Sequence, residues 1–134
     1  MVNHQTCSGC SKSFNTLKSL DFHKLICIYY QYREKYISNV SNENIKNVII
    51  LFTSINFKIC DKYLPKNIIL TNIQIKYSIK TNNIIKYLYN IVLNSTLEHY
   101  SYIDVLNLIS SITHVQFNDI IDILNTFNKC KKNI

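Results

Sequence analysis

Cys7, Cys10, His23 and Cys27 are the residues of this chain whose types and spacing can do chemistry. Two residues separate the first two cysteines, twelve precede His23, and three lie between His23 and Cys27. A zinc ion takes four soft or borderline ligands at the corners of a tetrahedron. Two cysteines two residues apart fit a tight turn that aims both sulfurs at one point. Gly9 suits such a turn, because glycine adopts positive φ without a Cβ penalty. His23 and Cys27 stand at i and i+4, so on a helix they share one face. The expected chemistry is one structural zinc ion held by all four residues. Four protein ligands leave no open position for a reacting water, so catalysis by the metal is not expected.

The elements that must position these ligands are a hairpin and a helix. Phe14 and Leu20 fall between the two ligand pairs, where they would form a small core. The stretch resembles zinc fingers of the pattern Cys-x2-Cys-x3-Phe-x5-Leu-x2-His-x3-His. Cys7, Cys10, Phe14, Leu20 and His23 meet that pattern, and Cys27 replaces its last histidine. The resemblance covers residues 5–29 and implies a ββα fold with a Cys-Cys-His-Cys ligand set. The helix should begin near Thr16 and run past Cys27. Leu25, Ile28, Tyr29, Tyr32 and Tyr36 recur on one helical face, as a docking stripe for the rest of the chain.

The finger pattern also names the positions that would read DNA. Base contacts come from just before the helix start and from its third and sixth residues, here Thr16, Ser19 and Phe22. None of these makes the directional contacts of Arg, Asn or Gln to base edges. Phe22 is better suited to an apolar protein surface. Lys12, Lys18 and Lys24 can contact phosphates, which implies weak, non-specific, salt-sensitive nucleic-acid binding at most.

At 134 residues the chain has room for this finger, over residues 1–37, and one further small domain, over residues 41–134. Isoleucine, asparagine and lysine dominate, with no alanine and one glycine. We read that bias as the mark of an AT-rich genome, such as that of a large DNA virus. The net charge of +7 is spread thinly: +3 over residues 1–40, +4 over 41–100 and zero over 101–134. It reads as a solvated surface rather than a basic stripe. No run is apolar enough over ~18 residues to cross a bilayer. Reduced cysteine ligands and the lack of a secretory leader pattern point to the cytoplasm or nucleus, of a host cell if the chain is viral.

Beyond a polar connector at Ser38-Asn39-Val40-Ser41-Asn42, residues 48–53 and 55–60 are rich in β-branched residues and predict a hairpin. One helix over 43–59 is the competing reading. Ile73, Ile75 and Tyr77 alternate with polar residues and predict a strand. Three amphipathic helices follow. The first is capped by Thr81 or Asn82 and carries Ile84, Ile85, Leu88, Ile91 and Val92. The second is capped by Ser101, with Ile103, Leu106, Ile109 and Ile112 inward. The third runs from Gln116, with Phe117, Ile120, Ile121, Leu124 and Phe127 inward.

In that order the segment resembles a compact BTB/POZ domain over residues 46–128. The likeness rests on Val48-Ile49-Ile50-Leu51, Phe57-Lys58-Ile59-Cys60, Leu64, Ile75, Ile84-Ile85-Lys86-Tyr87-Leu88-Tyr89 and the helices from Tyr102 and Phe117. It implies self-association or docking to a protein partner. The alternative is a small helical domain. The expected fold class is therefore α+β, helix-dominated. His99, His114, Cys60 and Cys130 lack partners at catalytic or ligand spacing, and no phosphate-binding glycine loop exists. The function expected is a non-enzymatic, zinc-binding interaction adaptor without a small-molecule substrate or membrane span. The alternatives are a nucleic-acid-binding transcription or packaging factor, or a structural subunit of a larger assembly.

Overall fold

A computed structural model describes residues 5–36, 40–58, 62–76 and 82–132. Two-residue strands β1 (Gln5–Thr6) and β2 (Ser13–Phe14) pair antiparallel, with Gln5 opposite Phe14. Helix α1 (Leu17–Ile26) follows, capped by Thr16, whose Oγ1 accepts from the Ser19 amide at 3.1 Å. Helix α2 (Ile28–Lys35) begins two residues after α1 ends. The expected single helix through Cys27 is thus two helices. Cys27 is extended, at φ −86° and ψ 110°, and caps both of them.

Helix α3 (Asn42–Ile55) is the centre of the remaining structure. Ser41 caps its start, and Asn56 closes its end in the left-handed conformation at φ 55°. Ile45, Val48, Leu51 and Ile55 are fully buried at three- and four-residue steps. Helices α4 (Lys66–Lys76), α5 (Asn83–Asn94), α6 (Tyr102–Thr113) and α7 (Phe117–Lys132) all pack against α3. Ile69 and Ile73 of α4, Ile85, Leu88 and Val92 of α5, Leu106 and Ile109 of α6, and Ile120, Ile123 and Leu124 of α7 complete one core.

The hairpin expected over 48–53 and 55–60 is corrected by α3, which runs through its first strand and turn. The strand expected at Ile73, Ile75 and Tyr77 is corrected by α4. Ile73 is fully buried while Ile75 is 77% exposed, so the two share no inward face. Ile59, Cys60, Asp61 and Tyr77 lie outside the described residues, as do Ser38 and Asn39 of the connector and Thr81. Of the residues quoted for the BTB/POZ likeness, Val48, Ile49, Ile50, Leu51 and Ile75 are helical, Phe57 and Lys58 lie in neither helix nor strand, and the described residues form only two-stranded sheets.

The second sheet pairs β3 (Tyr63–Pro65) with β4 (His99–Ser101), Leu64 opposite Tyr100. Each strand runs straight into a helix, α4 or α6, so the pair clips the two helix starts together. Leu64 and Tyr100 are buried under it. The three later helices stand where the sequence places them. Asn82 caps α5 by accepting from the Ile84 and Ile85 amides. Ser101 and Asp104 form a reciprocal capping box on α6. Ile103 is 60% exposed, and Val105 takes an inward place that the sequence reading gave to Ile103. The described residues are helix-dominated, with two small antiparallel sheets. No described helix is long and apolar enough to cross a membrane.

Candidate metal centre

The first two ligands sit on the turn between β1 and β2. The Cys7 amide donates to the Lys12 carbonyl and the Ser11 amide to the Cys7 carbonyl, each at 2.9 Å. The left-handed residue that closes this turn is Ser11, at φ 66°, and no glycine has positive φ. Gly9 is required for a different reason from the one its sequence context suggests. A Cβ there would lie 2.3 Å from the Tyr30 amide nitrogen and 2.6 Å from the Tyr29 carbonyl carbon. The turn is pressed onto the first residues of α2, and only a hydrogen fits between the two backbones.

The other two ligands flank the end of α1. The Cys27 amide donates to the His23 carbonyl at 2.9 Å, the last bond of that helix. The chain then turns out of helix at Cys27, and the Gln31 amide donates back to the Cys27 carbonyl at 3.0 Å. This break brings the buried Cys27 sulfur to 4.0 Å from that of buried Cys7. The His23 Nε2 stands 3.3 Å from the Cys10 Sγ. All four ligand atoms lie within 4.8 Å of one another.

These separations fit a metal. Zinc–sulfur bonds of about 2.3 Å give tetrahedral S···S edges of roughly 3.8 Å, and S···N edges slightly shorter. The sulfurs are far beyond the ~2.05 Å of a disulfide. Burial raises the Cys7 thiol, but the Cys10 and Gly9 amides that face its sulfur outweigh this and bring it below the ordinary value. Burial pushes the Cys27 thiol up to about 12, against the Tyr30 amide and with the neighbouring Cys7 and Cys10 sulfurs adding to the rise. Three sulfurs this close cannot all carry charge unless a cation lies among them. A divalent ion selects the thiolate form and reverses that balance. Burial and the Lys12 ammonium lower the His23 imidazole, which keeps it neutral and able to ligate. The cluster can hold one metal ion, such as zinc.

Comparison with known protein families, curated proteins and solved structures returns no match. The reading of the centre therefore rests on its own residues. Leu20 is buried beneath the ligands together with Cys7 and Cys27, and Phe14 packs against them. The Phe14 ring lies 4.7 Å from the His23 ring, centroid to centroid. Phe14 and Leu20 are thus both brought to the cluster.

The three lysines separate. Lys12 places its ammonium over the Phe14 ring at 5.7 Å, Lys18 is exposed on α1, and Lys24 turns to the Tyr30 ring at 5.2 Å. Phe22 is 62% exposed. His99 and His114 are exposed, on β4 and at the end of α6, and neither belongs to the cluster found among the described residues. Cys130 is buried in α7, and burial raises its thiol. Cys60 lies outside the described residues.

One set of residues had no signal in the spacing. The Asn42 side chain donates to the Gly9 carbonyl at 2.7 Å and accepts from Arg33 at 2.8 Å. Arg33 also donates to the Val40 carbonyl at 3.1 Å. This relay ties the ligand turn to the end of α2 and the start of α3. The three residues are 33 positions apart at the extremes, so no local pattern could reveal it.

Proposed function

We propose that the chain is a non-enzymatic, zinc-binding adaptor that works by associating with other proteins. The observation that carries this reading is the convergence of Cys7, Cys10, His23 and Cys27 on one point, with two of the sulfurs buried. Residues 5–29 then form a finger of the Cys-Cys-His-Cys type, with Phe14 and Leu20 as its core. The zinc supplies folding energy and fixes four side chains, as structural zinc sites do. The closed ligand set supports a structural rather than a catalytic role. The helices after α2 supply the bulk of the molecule and a second surface for docking or self-association. Thr16 supports a protein rather than a base-reading role for the finger, since its hydroxyl is engaged in capping α1.

Intact-mass spectrometry under native conditions should find one zinc per chain. Cys10→Ala should lose that zinc and the finger's order while keeping most helical circular dichroism, since α2 to α7 share a core other than the small cluster around the ligands. Light scattering and titration with duplex DNA separate the adaptor from a nucleic-acid binder. Tight duplex binding at physiological salt would displace the adaptor reading, and protein purified without chelator that carries no metal would remove the finger.

A further inference from the structure

A groove lies beside the metal centre and shares only His23 with it. It holds about 550 Å³ and is lined by Phe14, Phe22 and Ile26, by Ser19 and His23, and by Lys12 and Lys18. Its apolar side chains come from β2 and α1, the two elements that the ligands fix relative to each other. Phe22 leaves most of its ring in solvent, and Leu17 and Leu25 of the same helix are also more than half exposed. Three of the ten residues of this helix are thus large apolar side chains left exposed. Charge distinguishes the occupant. Both ionisable lining groups besides the metal-facing imidazole are lysines, and the one carboxylate of α1, Asp21, does not line the groove.

We infer that this groove docks an acidic amphipathic segment of a partner protein, with a large apolar side chain set between Phe14, Phe22 and Ile26 and carboxylates against Lys12 and Lys18. This mode is the helix-in-groove recognition in which spaced apolar anchors give affinity and charges give orientation. A nucleic-acid backbone would satisfy the lysines but leave the Phe22 ring against phosphate and water. The inference rests on the adaptor reading, because the metal holds β2 against α1 and so sets the width of the groove.

The test uses the full chain loaded with zinc and three fluorescein-labelled probes. One is a sixteen-residue amphipathic peptide with a Leu/Phe stripe and glutamates flanking it. The second keeps the stripe and replaces the glutamates by lysines. The third is a random-sequence duplex of about 20 base pairs. The acidic peptide should bind, with an affinity that falls as salt rises, and the basic peptide should not. Phe22→Ala should weaken the acidic peptide at least tenfold, and Lys12→Glu with Lys18→Glu by a similar factor. All these positions are exposed or partly exposed, and zinc content read on each variant confirms that the fold is kept. Equal binding of both peptides, indifference to Phe22→Ala, no binding by zinc-replete chain, or duplex binding in preference to the acidic peptide would each overturn the groove assignment while leaving the metal centre intact. Conversely, a chain that carries no zinc as purified and still bound the peptide through Phe22 would keep the groove and remove both the metal reading and the metal's part in setting the groove's width.

Discussion

Gly9 is the residue on which the metal turn and the second helix meet. Its hydrogen is all that fits against the Tyr29–Tyr30 backbone. Gly9→Ala should therefore cost about 3 kcal/mol, in the range of strained or overpacked sites, because the obstructing atoms are main chain and cannot rotate away. Denaturant titration of the zinc-loaded protein checks this, and an unchanged midpoint would mean that the turn is free to move. Acid should act on the neighbouring ligands. The His23 imidazole is held below its ordinary value by burial and by Lys12. A lowered value means that the stability from neutral His23 is present above the ordinary pKa and is lost as pH falls through the lowered one. Protons compete with the metal in the same direction at three sulfurs. Zinc release, followed with a chromogenic chelator as pH is lowered from neutrality, should be steeper than a one-proton curve. Zinc retained unchanged into strong acid would contradict the ligand set. At this scale the clustering of Cys7, Cys10, His23 and Cys27 was legible, because metal spacing is local. Gly9 was legible in identity only. Its cause is a contact with residues twenty positions away, which the turn alone does not contain.

Helix α3 shows why an apolar run can mislead. It touches four other helices, so Ile49, Ile50 and Phe52 are partly buried as well as Ile45, Val48, Leu51 and Ile55. A helix covered on most sides loses its polar stripe and reads like a buried strand. Helix α4 misled for the opposite reason. Isoleucine is so common in this chain that it also occupies solvent positions, and exposed Ile75 created an alternation with no packing behind it. Helices α5 and α6 were legible because caps and apolar spacing agree there, and α7 by its apolar spacing, and agreement between levels is what makes a sequence specify a structure. The caps give a measurable consequence. In α6 the Asp104 amide donates to Ser101 Oγ at 3.1 Å, and the Ser101 amide donates to the Asp104 carboxylate at 2.9 Å. Ser101→Ala removes one half of this exchange at the point where β4 becomes α6, and should cost about 1 kcal/mol. Thermal melting should show a fall of several degrees, whereas the exposed Ser111→Ala on the same helix should leave the midpoint within error. Equal effects of the two changes would mean that the capping box contributes nothing.

The molecule as a whole is joined through α2. This helix has eight residues, too few to persist alone in water. Its order comes from packing: Tyr32 is fully buried in the main core, Ile28, Tyr29 and Tyr36 lie against that core, and α7 is the element it covers. The sequence reading of the tyrosine stripe as a docking face describes this contact, but a boundary drawn near residue 40 cuts through the core it helps to build. Tyr29 also packs against the small cluster around Cys7, Leu20 and Cys27, so one helix touches both apolar centres. The Arg33–Asn42–Gly9 relay adds a polar tie at the same junction. A fragment of residues 41–134 should therefore keep its helices yet lose the stabilisation from Tyr32. Truncating one buried aromatic side chain costs ~3–5 kcal/mol, a large share of the 5–15 kcal/mol typical of a small domain. Its melting midpoint should fall well below that of the full chain, and the uncovered face of α7 should make it self-associate as concentration rises. Residues 28–134, which restore α2 without the ligand set, should recover most of the lost midpoint. Tyr32→Ala in the full, zinc-loaded chain should lose a comparable amount with the metal still bound. A fragment of 41–134 that melts with the full chain would show that α2 only rests on the core, and the finger would then be a separate unit on a tether.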